Sequence, residues 1–439
     1  MGILEIWHPD IEEFITTKQK PGQLENFNLS VGVWNDFFEA LEKDNNYALI
    51  NPRTKKQVRE ISSRKLFDLI AFSAWKCAEP GVIFFDNINK YNVLINTKGL
   101  IRATNPCVTG DTLVITSKGL IPASKLKENN PDISVVTHNG WNKIEKIFNN
   151  GIKDVYKVKL KNGIEIKVTP DHKFYTSKGW KAVKELEKGD SVLIFLNDFE
   201  IKNEFKNPTS IDDEKFAEIL GIFVGEGSLS KANHVSFYIG NDENLCNYIY
   251  NALKSEGAFK FKRGNQFIVD VHSKSFAEIF RKILKSKTSR SYTKEIPEII
   301  LKSNSKIMAS FLRGLFSIDG SVYDNGTVTI ALSSSSKKLL QQVQQVLIAL
   351  GIYSILTNEK KEEVKKIKGK NIIRQTWKIL INEYYAKKFA EKIGFIGEKD
   401  KKLKRLLKGK RFYKKDKEFV EILEKKKAGK EIVYDITAK

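Results

Sequence analysis

The sequence predicts a multidomain chain in which an all-β section is followed by an α+β section built of two pseudo-symmetric αββαββα repeats. Three observations carry that reading. At 439 residues the chain has room for two or three domains, each with its own core. At Cys107 the texture changes from mixed helix and loop signals to short β-rich runs broken by Gly and Asn. Beyond about Phe216 two similar stretches, 219–227 (ILGIFVGEG) and 312–320 (LRGLFSIDG), each open the same order of elements.

Before Cys107, the apolar, aromatic stretch 66–75 (LFDLIAFSAW) is expected to be a buried helix. After it, strands are expected over 112–116, 155–160, 164–169 and 191–195, with turns at Asn139-Gly140, Asn162-Gly163 and Gly189-Asp190. Residues 197–215 are polar and read as a linker. The first repeat should then supply a hairpin, a helix over 245–256, strands and a helix over 276–284. The second should repeat that order, with helices near 339–350 and 385–393. Residues 401–430 read as a basic connecting segment, and 432–436 as one more strand.

Composition limits the function classes. The chain is 41% hydrophobic with only 10 Pro, so it is globular. No apolar run approaches a membrane span and the first residues are not a signal peptide, so no membrane is expected and the cytoplasm is. Three widely spaced cysteines fit neither a disulfide framework nor a zinc spacing. A formal charge of +22 points to a polyanionic partner, most often nucleic acid, or to a lysine-rich composition.

Cys107-Val108-Thr109-Gly110-Asp111-Thr112-Leu113-Val114, with Thr169-Pro170-Asp171-His172 and Gly189-Asp190 behind it, resembles the amino-terminal half of an intein splicing (Hint) domain over 107–196. The resemblance implies that the Cys107 thiol attacks the carbonyl of Pro106. His172 would protonate the departing amide nitrogen and Thr169 would help hold the bond. Residues 431–439 resemble the start of the penultimate intein block, whose Asp435 is expected near Cys107, tuning its protonation. The family needs a further tail ending in His-Asn. A separate carboxy-terminal intein and extein polypeptide is therefore the expected partner for completing the reaction.

Residues 1–106 are similar to part of the large chain of ribonucleotide reductase, of the adenosylcobalamin-dependent type. The similarity rests on His8-Pro9-Asp10-Ile11, Phe27-Asn28-Leu29-Ser30-Val31, Pro80-Gly81-Val82 and Ala103-Thr104-Asn105-Pro106. It departs at Cys77-Ala78-Glu79, where Gly-Asp is commoner. It implies a fragment of an α/β barrel lying ahead of the intein, with adenosylcobalamin used only by the complete host enzyme. Cys107 is then the first intein residue and not the reductase radical cysteine.

The paired motifs resemble those of LAGLIDADG (DOD-type) homing endonucleases, over 216–400. Gly221 and Gly314 should let the two motif helices approach closely, and Gly227 and Gly320 should terminate them in the left-handed conformation. The resemblance implies that Glu226 and Asp319 meet at adjacent helix ends, act as catalytic carboxylates and bind Mg²⁺. Lys294 would lie near the scissile phosphate. The expected partner is double-stranded DNA, cut by a monomer at the reductase gene lacking the insert, with 259–263, Lys360-Lys361 and 365–370 supplying charge. Two other readings remain: a reductase chain carrying a passenger intein, and a decayed remnant that only binds DNA.

Overall fold

The structure, a computed structural model, describes residues 2–19, 28–90, 107–126, 132–137, 140–196, 199–229, 234–284, 291–358, 363–367, 370–413 and 418–438. The chain divides into two compact units, Met1–Asn105 and Pro106–Lys439.

The first unit runs β1 (Gly2–Glu5), α1 (Ile11–Thr16), β2 (Leu29–Val33), α2 (Asn35–Glu42), β3 (Asn46–Ile50), β4 (Gln57–Ser62), α3 (Ser63–Cys77), β5 (Gly81–Phe84) and α4 (Phe85–Lys90). Strands β1, β2 and β5 pair in parallel, and β3 with β4 antiparallel. The central β2 is buried at every residue, as a parallel strand covered on both faces should be. Helix α3 includes the expected helix but is not buried all round. Ser62 caps it by accepting from the Lys65 N–H, and only Leu66, Ile70 and Ser73, spaced three to four apart on one stripe, face the core with Ser63. Phe72 and Trp75 lie off that stripe and are 50% and 80% exposed.

The second unit opens with β6 (Val108–Thr109), β7 (Leu113–Thr116), β8 (Gly119–Pro122), β9 (Ser134–Thr137), β10 (Gly140–Leu160), β11 (Glu165–Val168), β12 (Lys173–Thr176), β13 (Gly179–Ala182) and β14 (Ser191–Ile194). Gly163 and Gly189 take φ of +86° and +97° at the expected turns, which a side chain would resist. Asn139 lies outside the described residues, though Gly140 beside it has φ +98°.

Two αββαββα units follow. The first is α5 (Asp213–Glu226), β15 (Gly227–Leu229), β16 (His234–Gly240), α6 (Glu243–Leu253), β17 (Ala258–Arg263), β18 (Gln266–His272) and α7 (Lys274–Leu284). The second is α8 (Ser305–Asp319), β19 (Gly320–Asp324), β20 (Val328–Ser334), α9 (Lys337–Ala349), β21 (Ile355–Asn358), then a hairpin of β22 (Glu363–Ile367) and β23 (Lys370–Arg374), then β24 (Trp377–Asn382) and α10 (Glu383–Lys392). The sheet orders correspond, β15-β16-β18-β17 and β19-β20-β24-β21, so among the described residues it is the inserted hairpin that breaks the repeat. Helix α11 (Glu398–Leu407) comes next. The chain then returns to the first sheet as β25 (Glu418–Ala438), giving the order β13-β12-β14-β25-β6-β11-β10-β9-β7-β8.

Three expectations are corrected here. The supposed linker at 197–215 is no free tether, because Phe199, Ile201, Phe205 and Ile211 are buried and α5 already starts at Asp213. The connecting segment at 401–430 contains α11 and the first half of β25. That strand begins at Glu418 because it pairs with β14 and along β10, whatever its lysine content. Gly227 and Gly320 are extended, at φ −96° and −84°, and are not left-handed. Their requirement is space: a Cβ at Gly227 would strike the Phe223 ring, and one at Gly320 the Phe316 carbonyl.

Helices α5 and α8 are apolar around nearly their whole circumference and form the centre of this core. A Cβ on Gly221 would collide with the Phe311 carbonyl, and one on Gly314 with the Glu218 carbonyl. The helices are thus in backbone contact across two glycines. Their starts are fixed alike, with Asp212 accepting from the Lys215 N–H at 3.1 Å and Asn304 from the Ile307 N–H at 3.0 Å.

Candidate functional site

Two constellations stand out in the second unit. The first surrounds Cys107, which is 4% exposed just ahead of β6. Its N–H donates to Thr169 Oγ1 at 3.2 Å, and the Thr169 N–H donates back to the Cys107 carbonyl at 3.1 Å. The His172 N–H donates to the Thr169 carbonyl at 3.1 Å, closing a turn that brings the imidazole into hydrogen-bond contact with the Cys107 backbone. Thr169 therefore holds the nitrogen of the bond preceding Cys107. Pro106, and the reductase-like stretch Ala103–Pro106, lie outside the described residues.

Burial pulls the His172 imidazole down to about 4, against the charge of Asp171 and a hydrogen bond with the Cys107 backbone. Nδ1 is buried without a hydrogen-bond partner. Burial likewise pushes the Cys107 thiol up to about 11. A hydrogen bond from Asn150 opposes that rise, the charges of Asp435 and Asp171 add to it, and Lys153 counters them. Asp435 is buried on β25, in the strand register that pairs Tyr434 with Val108. Its influence on Cys107 has a definite sign: it favours the protonated thiol.

Sequence reading missed Asn150. Its Nδ2 donates to Cys107 Sγ at 3.1 Å. The available signal was Asn149-Asn150-Gly151 inside a strand, where Gly with φ +68° marks a bulge.

The second constellation lies where α5 and α8 end. Glu226 is exposed and Asp319 partly buried. Burial, and then the charge of Glu226, push the Asp319 carboxyl up to about 6, with Lys294 and Lys399 pulling the other way. Lys294 donates to the Gly225 carbonyl at the end of α5. Lys399 donates to the carbonyls of Ser317 at 2.6 Å and Gly320 at 2.7 Å at the end of α8. The two lysines occupy matching places, each following the last helix of its repeat. Lys399 was not singled out from sequence because it sits in a lysine-dense run; only the repeat register sets it apart.

Behind this site the helix pair is braced by buried Glu218, which accepts from Arg313 Nη1 at 2.7 Å and from the Tyr248 hydroxyl. Of the expected phosphate-facing segments, 259–263 lies in β17, with exposed Phe259 and Phe261 alternating with Lys260 and Lys262. Lys360-Lys361 and the side chains of 365–370 lie outside the described residues.

Residues 1–109 match the family "Ribonucleotide reductase, barrel domain", and residues 306–394 match "LAGLIDADG-like domain". The chain is 26% identical over 430 residues to ribonucleoside-diphosphate reductase NrdEB subunit alpha of Bacillus subtilis (strain 168), covering 82% of this chain and 38% of that protein. It is 51% identical over 108 residues to the vitamin B12-dependent ribonucleoside-diphosphate reductase of Thermoplasma acidophilum, covering 24% of this chain and 14% of that one. The chain thus spans well under half the length of these curated relatives. Among solved structures it is similar in part to the Ssp DnaB mini-intein variant M86 (24% identity, 22% of this chain, 65% of that chain, TM-score 0.20). It is also similar to I-DmoI in complex with DNA and Ca (16% identity, 44% of this chain, 98% of that chain, TM-score 0.31). Residues 1–109 thus resemble a ribonucleotide reductase barrel domain, and residues 306–394, in the part that the Cys107-opened sheet encloses, resemble a LAGLIDADG-like domain.

Proposed function

We propose that the second unit is a self-splicing intein whose embedded domain cuts double-stranded DNA in a Mg²⁺-dependent reaction, acting as a monomer in the cytoplasm. Its target is the reductase gene lacking the insert, across the codons for Ala103–Pro106 and the residue that follows them in the uninterrupted host. The observation that carries the nuclease reading is the meeting of Glu226 and Asp319 at the ends of two helices in glycine contact. Two carboxylates at two negative helix ends repel each other, and a hard divalent cation relieves that repulsion. No cluster of three or more His, Cys, Asp or Glu suited to a metal occurs among the described residues. That suits an ion drawing its remaining ligands from water and phosphate. Glu226 and Asp319 would hold it; when bound it supplies an activated water and charge neutralisation at the leaving oxygen. Lys294 and Lys399 keep positive charge beside the two helix ends, where backbone phosphates would approach.

In the splicing reaction Cys107 Sγ attacks the Pro106 carbonyl carbon, and a sulfur–carbon bond replaces the bond to the Cys107 nitrogen. The thiol proton ends on that nitrogen, now an amine, so the step is an isomerisation. Neutral His172 can receive the proton and return it, while Thr169 fixes the nitrogen. Asp435 keeps the resting thiol protonated. A carboxy-terminal intein and extein polypeptide would complete the reaction, and adenosylcobalamin would serve only the complete host reductase.

Incubating the chain and Mg²⁺ with plasmids bearing the uninterrupted and the interrupted gene tests the nuclease reading. Cutting of the uninterrupted gene alone, lost in Glu226→Gln and Asp319→Asn with DNA binding retained, is expected. Equal cutting of both plasmids, or of neither by folded, DNA-bound protein, would refute it. For splicing, mass spectrometry of the chain mixed with the tail polypeptide should show ligated product that disappears in Cys107→Ala.

A further inference from the structure

Among the contacts of Cys107, the bond from Asn150 is one that the assignment of Cys107, Thr169, His172 and Asp435 leaves unused. We propose that Asn150 is a catalytic residue of the first splicing step, its side-chain amide stabilising the Cys107 sulfur as the attacking anion. The inference rests on the splicing reading and adds a residue to it.

The backbone explains how Asn150 comes to be there. Along the β10–β25 ladder Asn149 pairs with Tyr434 and Ile152 with Ile432, leaving Asn150 and Gly151 opposite the single residue Val433. On its other edge Val433 pairs with Thr109 of β6, the strand that follows Cys107. Cys107, Val155 and Val433 pack as one small buried cluster. The bulge thus turns the Asn150 amide across Val433 to the sulfur, 3.1 Å away. Gly151, at φ +68°, is the residue that permits it.

Two nearby carboxylates oppose negative charge on the sulfur. From β25 comes Asp435 and from the turn after β11 comes Asp171, both disfavouring negative charge on sulfur. His172 is neutral and bonded to the Cys107 backbone. Lys153, further along β10, is exposed and counts least. A neutral amide touching the sulfur offers stabilisation that needs no buried cation, and it strengthens as charge develops. When the thiol loses its proton, the Asn150 N–H donates to the anion. The sulfur then bonds to the Pro106 carbon, the bond to the Cys107 nitrogen breaks, and that nitrogen takes up a proton.

Alkylation by iodoacetamide across pH, read on the Cys107 peptide by mass spectrometry, measures this in the chain as it stands and separates Cys107 from Cys77 and Cys246. Asn150→Ala should raise the midpoint by about one pH unit, a roughly tenfold smaller thiolate fraction at neutral pH. Asn150→Asp, of nearly the same shape, should raise it further, and it keeps the test open if the alanine variant unfolds. With the tail polypeptide added, thiol-induced cleavage at Pro106 should slow in both variants at pH 7 and recover as pH rises. Midpoints equal to wild type in folded variants would overturn the proposal. A wild type that forms no thioester would sink the splicing reading alone, since the alkylation midpoints still judge Asn150.

Discussion

His172 and Asp319 are both held away from their ordinary proton affinity, and in opposite directions. For His172 the folded value is about 4 against 6.5, so the unfolded chain binds more protons between those limits. Its contribution to stability is therefore whole above pH 6.5 and is lost as pH falls toward 4, by up to about 3 kcal/mol. His172→Gln should flatten that acid loss in urea-unfolding curves; an unchanged slope would mean that the imidazole is not buried and neutral. Asp319 behaves in reverse. Its folded value of about 6 lies above 3.8, so the folded chain binds more protons in that window, and stability declines as pH rises through 6. Asp319→Asn should stabilise the protein at pH 8 by on the order of 2 kcal/mol and do nothing at pH 4. Added Mg²⁺ should raise the wild-type melting temperature at pH 8 and leave that of Asp319→Asn unmoved. A shift of equal size in both would place the ion elsewhere.

At the scale of elements, the two motif helices bear most weight. Gly314→Ala would drive a methyl group into the Glu218 carbonyl, and the facing backbone cannot move without pulling Glu218 off Arg313. The expected loss lies at or above the upper end of the roughly 1–3 kcal/mol typical of overpacking, checked by chemical denaturation. A substitution tolerated without loss would show that the helices are not in backbone contact. This contact was readable in advance because a glycine inside an apolar helix has few other uses. So were the strand positions near Cys107, through their Gly and Asn punctuation. Three things were not readable. β25 looks like a tether because Lys425-Lys426-Lys427 has no alternation, and only the partner strand makes it a strand. Phe199 and Ile201 sit in a polar stretch, so burial there depends on α8 and α9 arriving from far along the sequence. The part played by Asn150 needs a bulge whose position is fixed by pairing across the sheet.

Across the whole molecule, 75 Lys and Arg stand against 53 Asp and Glu. If that excess serves DNA, binding should weaken by about 10³–10⁵ between 50 and 200 mM salt, as expected for six to ten phosphate contacts. Fluorescence anisotropy with a labelled duplex reads this; a change below about tenfold would assign the charge to composition.

The two-repeat domain leaves the Cys107-opened sheet after Ile194 and the chain re-enters at Glu418, and these two residues are partners on adjacent strands. Antiparallel partners sit only about 5 Å apart, so in topological terms the entire two-repeat domain is the loop of a hairpin. A few residues could close the same gap, and closing a shorter loop costs less chain entropy. What would be forfeited are side contacts such as Lys337 to Glu165 and Gln344 to the Asn162 carbonyl. Such an arrangement allows a whole domain to be added or removed by editing one turn, with the ladder that positions Cys107 and Asp435 left unbroken.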